Sequence, residues 1–274
     1  MEKLTHMPII GELCNIAGQM YRLGWAERNG GNISVLLSEA EASEFADSAG
    51  SRCRFPLGFD AGPLAGKVFL TTGTGVYFRN IGENPENTLG AIRIRPDGSS
   101  AELLWGYEGG GGCTSELPAH LMGHMARLSA DKEHRVVMHT HPTYTIAMNT
   151  ACPADEADFT RRLWQINTEC VMVFPDGVGV LPCMTFGTGE IGHATAEKLK
   201  SCRLAVWTNH GVYGTGKSLD DAFGLIETVE KAAQIYMLTE GRERVNVISD
   251  GQLRAIAARC GVVPREGILP TRHT

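Results

Sequence analysis

Apolar residues recur at intervals of three and four across residues 8–27, at Ile9, Leu13, Ile16, Met20 and Leu23. This spacing predicts a helix with Pro8 in its first turn. The pattern breaks at Arg28-Asn29-Gly30-Gly31-Asn32, where two glycines allow positive φ, so the helix is expected to end there. Residues 33–37 read as a short strand, and residues 38–66, rich in Ala, Ser, Glu and Gly, as a long surface excursion. Residues 68–72 form a strand running into Gly73-Thr74-Gly75. Residues 91–95 and 101–105 flank Pro96-Asp97-Gly98, a hairpin signal, and residues 109–112 are a glycine loop.

Further on, Leu117, Leu121, Met125 and Leu128 mark a helix over residues 116–128. Residues 135–140 are a β-branched strand, and residues 159–164 lie in a short helix. Residues 170–174 and 178–181 are expected strands on either side of Pro175-Asp176-Gly177. A helix follows over 188–199, then a buried-type strand over 204–208 that meets Asn209-His210-Gly211. Ser218 with Asp221, and Ser249 with Gln252, have the spacing of a capping box, so each should start a late helix, with Gly241 and Gly261 as stops. Strands joined by hairpins and mixed with helices imply an α/β chain whose sheet is largely antiparallel.

Composition narrows the class. The 274 residues are 43% hydrophobic and 20% charged, enough for one large domain spanning residues 1–274. A net charge of −6 without a Lys/Arg stripe argues against nucleic acid or an anionic membrane as partner. The eight cysteines contain no C-x-x-C pair, which fits reduced thiols in a cytoplasmic protein. The longest uncharged stretch, 136–154, is full of Thr, His and Pro and does not read as a membrane span, and no signal peptide is evident.

The candidate chemistry centres on His139 and His141. Alternate residues on a strand point the same way, so the two imidazoles share a face. They are either solvated strand-end histidines or two ligands of a metal ion. His210, at the end of another apolar strand, is the best third ligand. Three histidines with one position open is the layout of a catalytic zinc site. A rival set, Glu116, His120 and His124, stacks on one helix face. Glu116, expected in the first turn of a helix capped by Ser115, is either a dipole-complementing acid or a general acid/base beside the metal. Glu169, at the lead-in to an expected strand, is a second candidate carboxylate. The turns Asn29–Asn32 and Thr72–Gly75, with Thr114 and Ser115, could present backbone amides and hydroxyls to a phosphate. Neither turn matches the P-loop or dinucleotide fingerprints.

These residues sit in blocks that resemble the class II (zinc-dependent) sugar-phosphate aldolase/epimerase family: 24–34 (GWAERNGGNIS), 114–120 (TSELPAH), 137–141 (VMHTH), 168–182 (TECVMVFPDGVGVLP) and 210–214 (HGVYG). The histidine triple marks the wider family. The blocks at 114 and 168 are particular to one aldolase within it. The resemblance implies a three-layer α/β/α domain with a mainly antiparallel central sheet, assembled as a homotetramer with active sites at subunit interfaces. It places one zinc ion per subunit on His139, His141 and His210, and the catalytic acid/base on Glu116, whose pKa would be raised toward neutrality by desolvation. Glu169 would handle the aldehyde end from a neighbouring subunit. Asn29, Gly31, Asn32, Thr74, Thr114 and Ser115 would bind the phosphate. The implied reaction is reversible cleavage of a ketose 1-phosphate to dihydroxyacetone phosphate and an aldehyde. Epimerases and a dehydratase of the family use a similar metal site, and non-catalytic scaffolds share the fold. Residues 38–66, 109–112 and those after Val263 match no motif.

Overall fold

Residues 2–45, 53–153 and 155–270 are described by the computed structural model. After the single turn α1 (Glu2–Thr5), Pro8 opens α2 (Pro8–Arg22), which buries Ile9, Ile10, Leu13, Ile16, Ala17 and Met20. The stripe is the one the sequence shows, but the helix stops well before residue 28. Gly24 adopts φ +78° and donates its N–H to Tyr21 O at 3.0 Å, while Trp25 N–H reaches Met20 O at 2.9 Å. This pair of bonds closes the helix as a left-handed cap. The stop therefore falls at Gly24, and residues 27–31 are left to form a separate turn leading into the central strand at Asn32.

Among the described residues, nine strands form one sheet in the order β2-β5-β4-β3-β1-β6-β9-β8-β7. They are β1 (Asn32–Leu36), β2 (Arg54–Pro56), β3 (Val68–Thr72), β4 (Leu89–Ile94), β5 (Ser100–Gly106), β6 (Val136–Thr140), β7 (Val178–Leu181), β8 (Leu204–Trp207) and β9 (Gly211–Gly216). All neighbours pair antiparallel except β7 and β8. The β4–β5 hairpin forms around Pro96-Asp97-Gly98 as its turn residues require.

Alternation along β6 explains the layers. Val136 and Met138 join a core with α2 and α10 (Leu219–Leu238), whereas Val137 packs with Ala119, Ala126, Ile191 and Leu199 from α5 (Leu117–Ala130) and α9 (Gly189–Leu199). Helices thus cover both faces, giving the three-layer α/β/α arrangement that the resemblance implies. His139 has the parity of Val137 and so lies on the α5 face.

Two expectations between residues 170 and 181 are corrected. Residues 170–174 are not a strand: residues 170–173 belong to α8 (Thr168–Val173) and Phe174 is its C-terminal cap, while at the other end Asn167 Oδ1 accepts the Glu169 N–H at 3.1 Å. Cys170, Val171 and Phe174 are buried at helical spacing, an apolar run whose type the sequence leaves ambiguous. Consequently Pro175-Asp176-Gly177 links a helix to β7 and closes no hairpin, and β7 pairs parallel to β8 through the α9 crossover.

The excursion at 38–66 is partly structured. Ser38 and Glu41 form a capping box on α3 (Glu39–Glu44), β2 lengthens the sheet, and Leu57, Ala61 and Leu64 are buried. Residues 46–52 lie outside the described residues. Ser249 makes the full capping box at α11 (Asp250–Cys260). At α10, Ser218 accepts from Asp221 N–H, while the Asp221 carboxylate turns to Lys217 N–H, so only half the box forms.

Two helices went unpredicted near the site: α4 (Pro85–Thr88) and α6 (Thr143–Ala151). Helix α6 starts directly after His141-Pro142 and has no side-chain cap of its own. Glu230 of α10 supplies one from a distance, accepting Tyr144 N–H at 2.9 Å, and Thr145 N–H and Oγ1–H at 2.7 Å. Burial pushes this carboxyl upward. Glu230→Ala would strand these buried donors, and a loss of about 1–3 kcal/mol in urea unfolding is expected. A loss below about 0.5 kcal/mol would show that the cap contributes little.

Candidate metal centre and substrate pocket

β6 delivers His139 and, just past its end, His141; the turn after β8 delivers His210. His139 Nδ1 faces Val212 O at 3.0 Å and, as the donor, leaves Nε2 bare. Nδ1 of His141 faces the Glu27 carboxylate at 2.9 and 3.0 Å, which turns its Nε2 inward in the same way. The two Nε2 atoms lie 3.3 Å apart, and one nitrogen from each of the three rings falls within 4.8 Å of the others. A tetrahedral ion with bonds of roughly 2.0–2.1 Å sets its nitrogen ligands roughly 3.3–3.4 Å apart, the spacing of the His139–His141 pair, with His210 close enough to complete the set. A carbonyl and a carboxylate behind the ligating rings are the outer partners such sites use.

His139 and His210 favour the neutral form that ligation needs. Burial holds His139 down at about 3, with His141 and His210 adding to the effect against the opposing pull of Glu116. Burial, then His141, lowers His210. Gly31 lets the loop approach: at φ +83°, an added Cβ would lie 3.0 Å from His139 O.

Glu116 stands at the cap position of α5, one residue later than expected, and its side chain caps nothing. The carboxylate is 6% exposed and points at the metal site, with Oε2 3.6 Å from His139 Nε2. It accepts Asn32 Nδ2–H at 2.9 Å and Tyr213 O–H at 3.0 Å. Its pKa is not raised. Burial pushes it up, but the His139 ring, Asn32, His120 and Tyr213 together bring it down to about 2. Because His139 is itself neutral near pH 7, the two hydrogen bonds are what keep Glu116 ionised there.

A cavity of about 330 Å³ joins this centre to all three candidate phosphate loops, lined by residues 27–32, 73–75 and 114–116, with His139, His141, Phe186 and His210. The loops are not equally free. Gly73 N–H and Thr74 N–H already donate to Thr88 O and Gly112 O, and the Asn32 carboxamide is committed to Glu116 and His120. Among the described residues, the amides of Asn29, Gly31 and Ser115 have no partner. Ser115 sits exposed at the N-terminus of α5, where the helix dipole favours an anion.

The family described as Class II Aldolase and Adducin N-terminal domain matches residues 11–237. The chain belongs to this family. It is 51% identical over 261 residues to a rhamnulose-1-phosphate aldolase of Listeria monocytogenes serotype 4b (strain CLIP80459), covering 95% of this chain and 96% of that one. It is 48% identical over 264 residues to the rhamnulose-1-phosphate aldolase of Enterococcus faecalis (strain ATCC 700802 / V583), covering 96% and 94%. Among solved structures, a sugar-phosphate aldolase from Thermotoga maritima superposes with a TM-score of 0.72 at 29% identity, covering 85% of this chain and 96% of that one.

Within this class II aldolase fold the rival helical metal set does not hold. His120 and His124 do stack, but both are fully buried and hydrogen-bonded to Ser34, at 2.7 and 2.8 Å. Among the described residues, His139, His141 and His210 are the group placed to share an ion. Glu169 lies elsewhere, exposed on α8 and outside the pocket lining of its own chain. Tyr213, Glu27 and Arg28 belong to the site but were not read from the sequence. Tyr213 is opposite His139 across the β6–β9 register, and Glu27 is 114 residues from the ring it orients, so neither carries a local signal. Arg28 is marked instead by its backbone, a non-glycine residue held at φ +54° on the pocket wall.

The buried histidines also set an acid limit on the fold. Burial lowers His120 to about 4, His124 well below its usual value, and His134 to about 3, against 6.5 when unfolded. Below 6.5 the unfolded chain binds protons that the folded chain refuses, so the stability present above that pH is lost as pH falls toward the folded values. The slope is at most roughly 1.4 kcal/mol per pH unit for each ring. Urea midpoints should therefore drop between about pH 7 and pH 5, and a flat profile would contradict the neutral, buried assignment.

Proposed function

We propose that the chain is a zinc-dependent L-rhamnulose-1-phosphate aldolase of rhamnose catabolism. It would reversibly cleave its substrate to dihydroxyacetone phosphate and L-lactaldehyde. The observation that carries this reading is the ionised Glu116 carboxylate set 3.6 Å from a metal-type histidine, in one cavity with unpartnered phosphate-type amides. The two relatives at 51% and 48% identity carry that activity in their names.

The substrate phosphate would rest on the α5 N-terminus and the Asn29 and Gly31 amides, with Thr114, Ser115 and Arg28 around it. Asn32 and Thr74 would contribute less, since the carboxamide of the first and the amide of the second are already used. A divalent ion on the three imidazoles supplies a Lewis acid that draws off the negative charge of cleavage. Three neutral nitrogens with an open position favour zinc for that ion. The ionised Glu116 carboxylate would take up the C4 hydroxyl proton as the C3–C4 bond electrons pass into an enediolate, and would return that proton to C3. In condensation Glu116 starts ionised and removes that proton. Its low pKa keeps it in the ionised form that accepting a proton requires, and Asn32 and Tyr213 hold the carboxylate in one place throughout.

Glu169 can handle the aldehyde end only from another copy, which supports a homotetramer with interfacial sites. The free thiols support a cytoplasmic protein, and no helix among the described residues is long and apolar enough to cross a membrane. We take residues 1–274 as a single domain.

Cleavage assays on L-rhamnulose, L-fuculose and ribulose phosphates, with metal analysis of the same sample, test the reading. L-rhamnulose 1-phosphate should show kcat/KM at least about tenfold above the others, with zinc bound. Epimerisation without cleavage, or no turnover of L-rhamnulose 1-phosphate, would overturn it.

A further inference from the structure

A line of buried polar side chains runs from Glu116 into the core, away from the pocket. It exists because two periods match. Alternate residues on β1 rise roughly 6.6 Å, and residues four apart on α5 rise roughly 6 Å. Asn32 and Ser34 therefore stay in step with Glu116, His120 and His124, and His134 closes the line.

The order of donors along it is forced. A carboxylate only accepts, so Asn32 must turn Nδ2 to Glu116, which places Oδ1 against Nε2 of His120. An amide oxygen also only accepts, so the His120 proton is on Nε2. His120 is neutral, so its bare Nδ1 accepts the Ser34 hydroxyl at 2.7 Å. That hydroxyl has one proton, so it must accept from Nε2–H of His124 at 2.8 Å. His124 is neutral too, and its Nδ1 accepts Nε2–H of His134 at 2.8 Å. Every bond donates toward Glu116, and bonds aligned head to tail polarise one another.

We propose that His134, His124, Ser34 and His120 are positioning residues for the acid/base, acting through Asn32 to fix the Glu116 carboxylate beside the metal site. The proposal rests on the reading of Glu116 as that acid/base. The line is not a proton path, because passage through a carboxamide would require its imidic-acid form. Its work is orientation: the alignment locks the Asn32 amide with nitrogen toward Glu116.

Two measurements on the metal-loaded enzyme decide it. Neutron diffraction from deuterium-exchanged crystals should place deuterium on Nε2 of His120, His124 and His134 and leave each Nδ1 bare. Deuterium on Nδ1 of His120 or His124 would overturn the order. In kinetics with L-rhamnulose 1-phosphate, His124→Phe should lower kcat about tenfold or more, with KM within about twofold and metal content unchanged. His124→Gln, which keeps a donor and an acceptor, should recover most of the loss. A folded His124→Phe with wild-type kcat, or one that loses metal and KM together with kcat, would sink the proposal; if it does not fold, Ser34→Ala takes its place with the same expectations. The neutron result is independent of activity, so a failure of the aldolase reading, seen as wild-type turnover in Glu116→Gln, is distinguishable from a failure of the positioning line.

Discussion

Glu116→Gln is expected to keep its metal and lose roughly 10²–10⁴ in kcat for cleavage of L-rhamnulose 1-phosphate. The substitution is nearly isosteric, and the glutamine oxygen can still accept from Asn32 and Tyr213, whose bonds of 2.9 and 3.0 Å hold the native side chain. The carboxylate lies 3.6 Å from His139 Nε2, so it would share the pocket with the ion, and it stands outside the three-histidine group placed to hold one. What the variant loses is a group that can carry a proton. Steady-state kinetics and metal analysis of one preparation check both halves, and wild-type turnover would remove Glu116 from the mechanism.

His139→Ala and His210→Ala should lose metal and activity together. Each deletes one of three nitrogens that lie within 4.8 Å of one another, and two remaining imidazoles do not make a closed site. The loss of a Lewis acid is worth several kcal/mol, so activity should fall roughly 10²–10³-fold. Replacing His120 and His124 together is the control. Those rings hydrogen-bond to Ser34 inside the core, so metal should be retained. Full zinc occupancy in His210→Ala would overturn the ligand assignment, and metal loss in the control would revive the helical set.

Much of this site was legible because its signals are local. Parity on β6 put His139 and His141 on one face, a strand end marked His210, and the helix start at residue 117 put Glu116 beside the pocket. What stayed hidden depends on distant partners. Whether Gly73 and Thr74 offer amides is decided by the carbonyls of Thr88 and Gly112. Helix α6 begins with Thr143-Tyr144-Thr145-Ile146, residues of strand propensity, and gains its start from Glu230 on α10. The run at 170–174 is too short for periodicity to separate helix from strand, and the Asn167 cap decides it. The pKa of Glu116 was misjudged for the same reason: burial alone points upward, and the hydrogen bonds that reverse it come from β1 and β9.

The most direct test of the metal centre is anomalous diffraction at the zinc edge from crystals of the protein as purified. The expected result is one strong peak within roughly 2.0–2.2 Å of Nε2 of His139, Nε2 of His141 and a ring nitrogen of His210, beside the Glu116 carboxylate. A peak on His120 and His124, or no peak in crystals grown from fully active enzyme, would contradict the account.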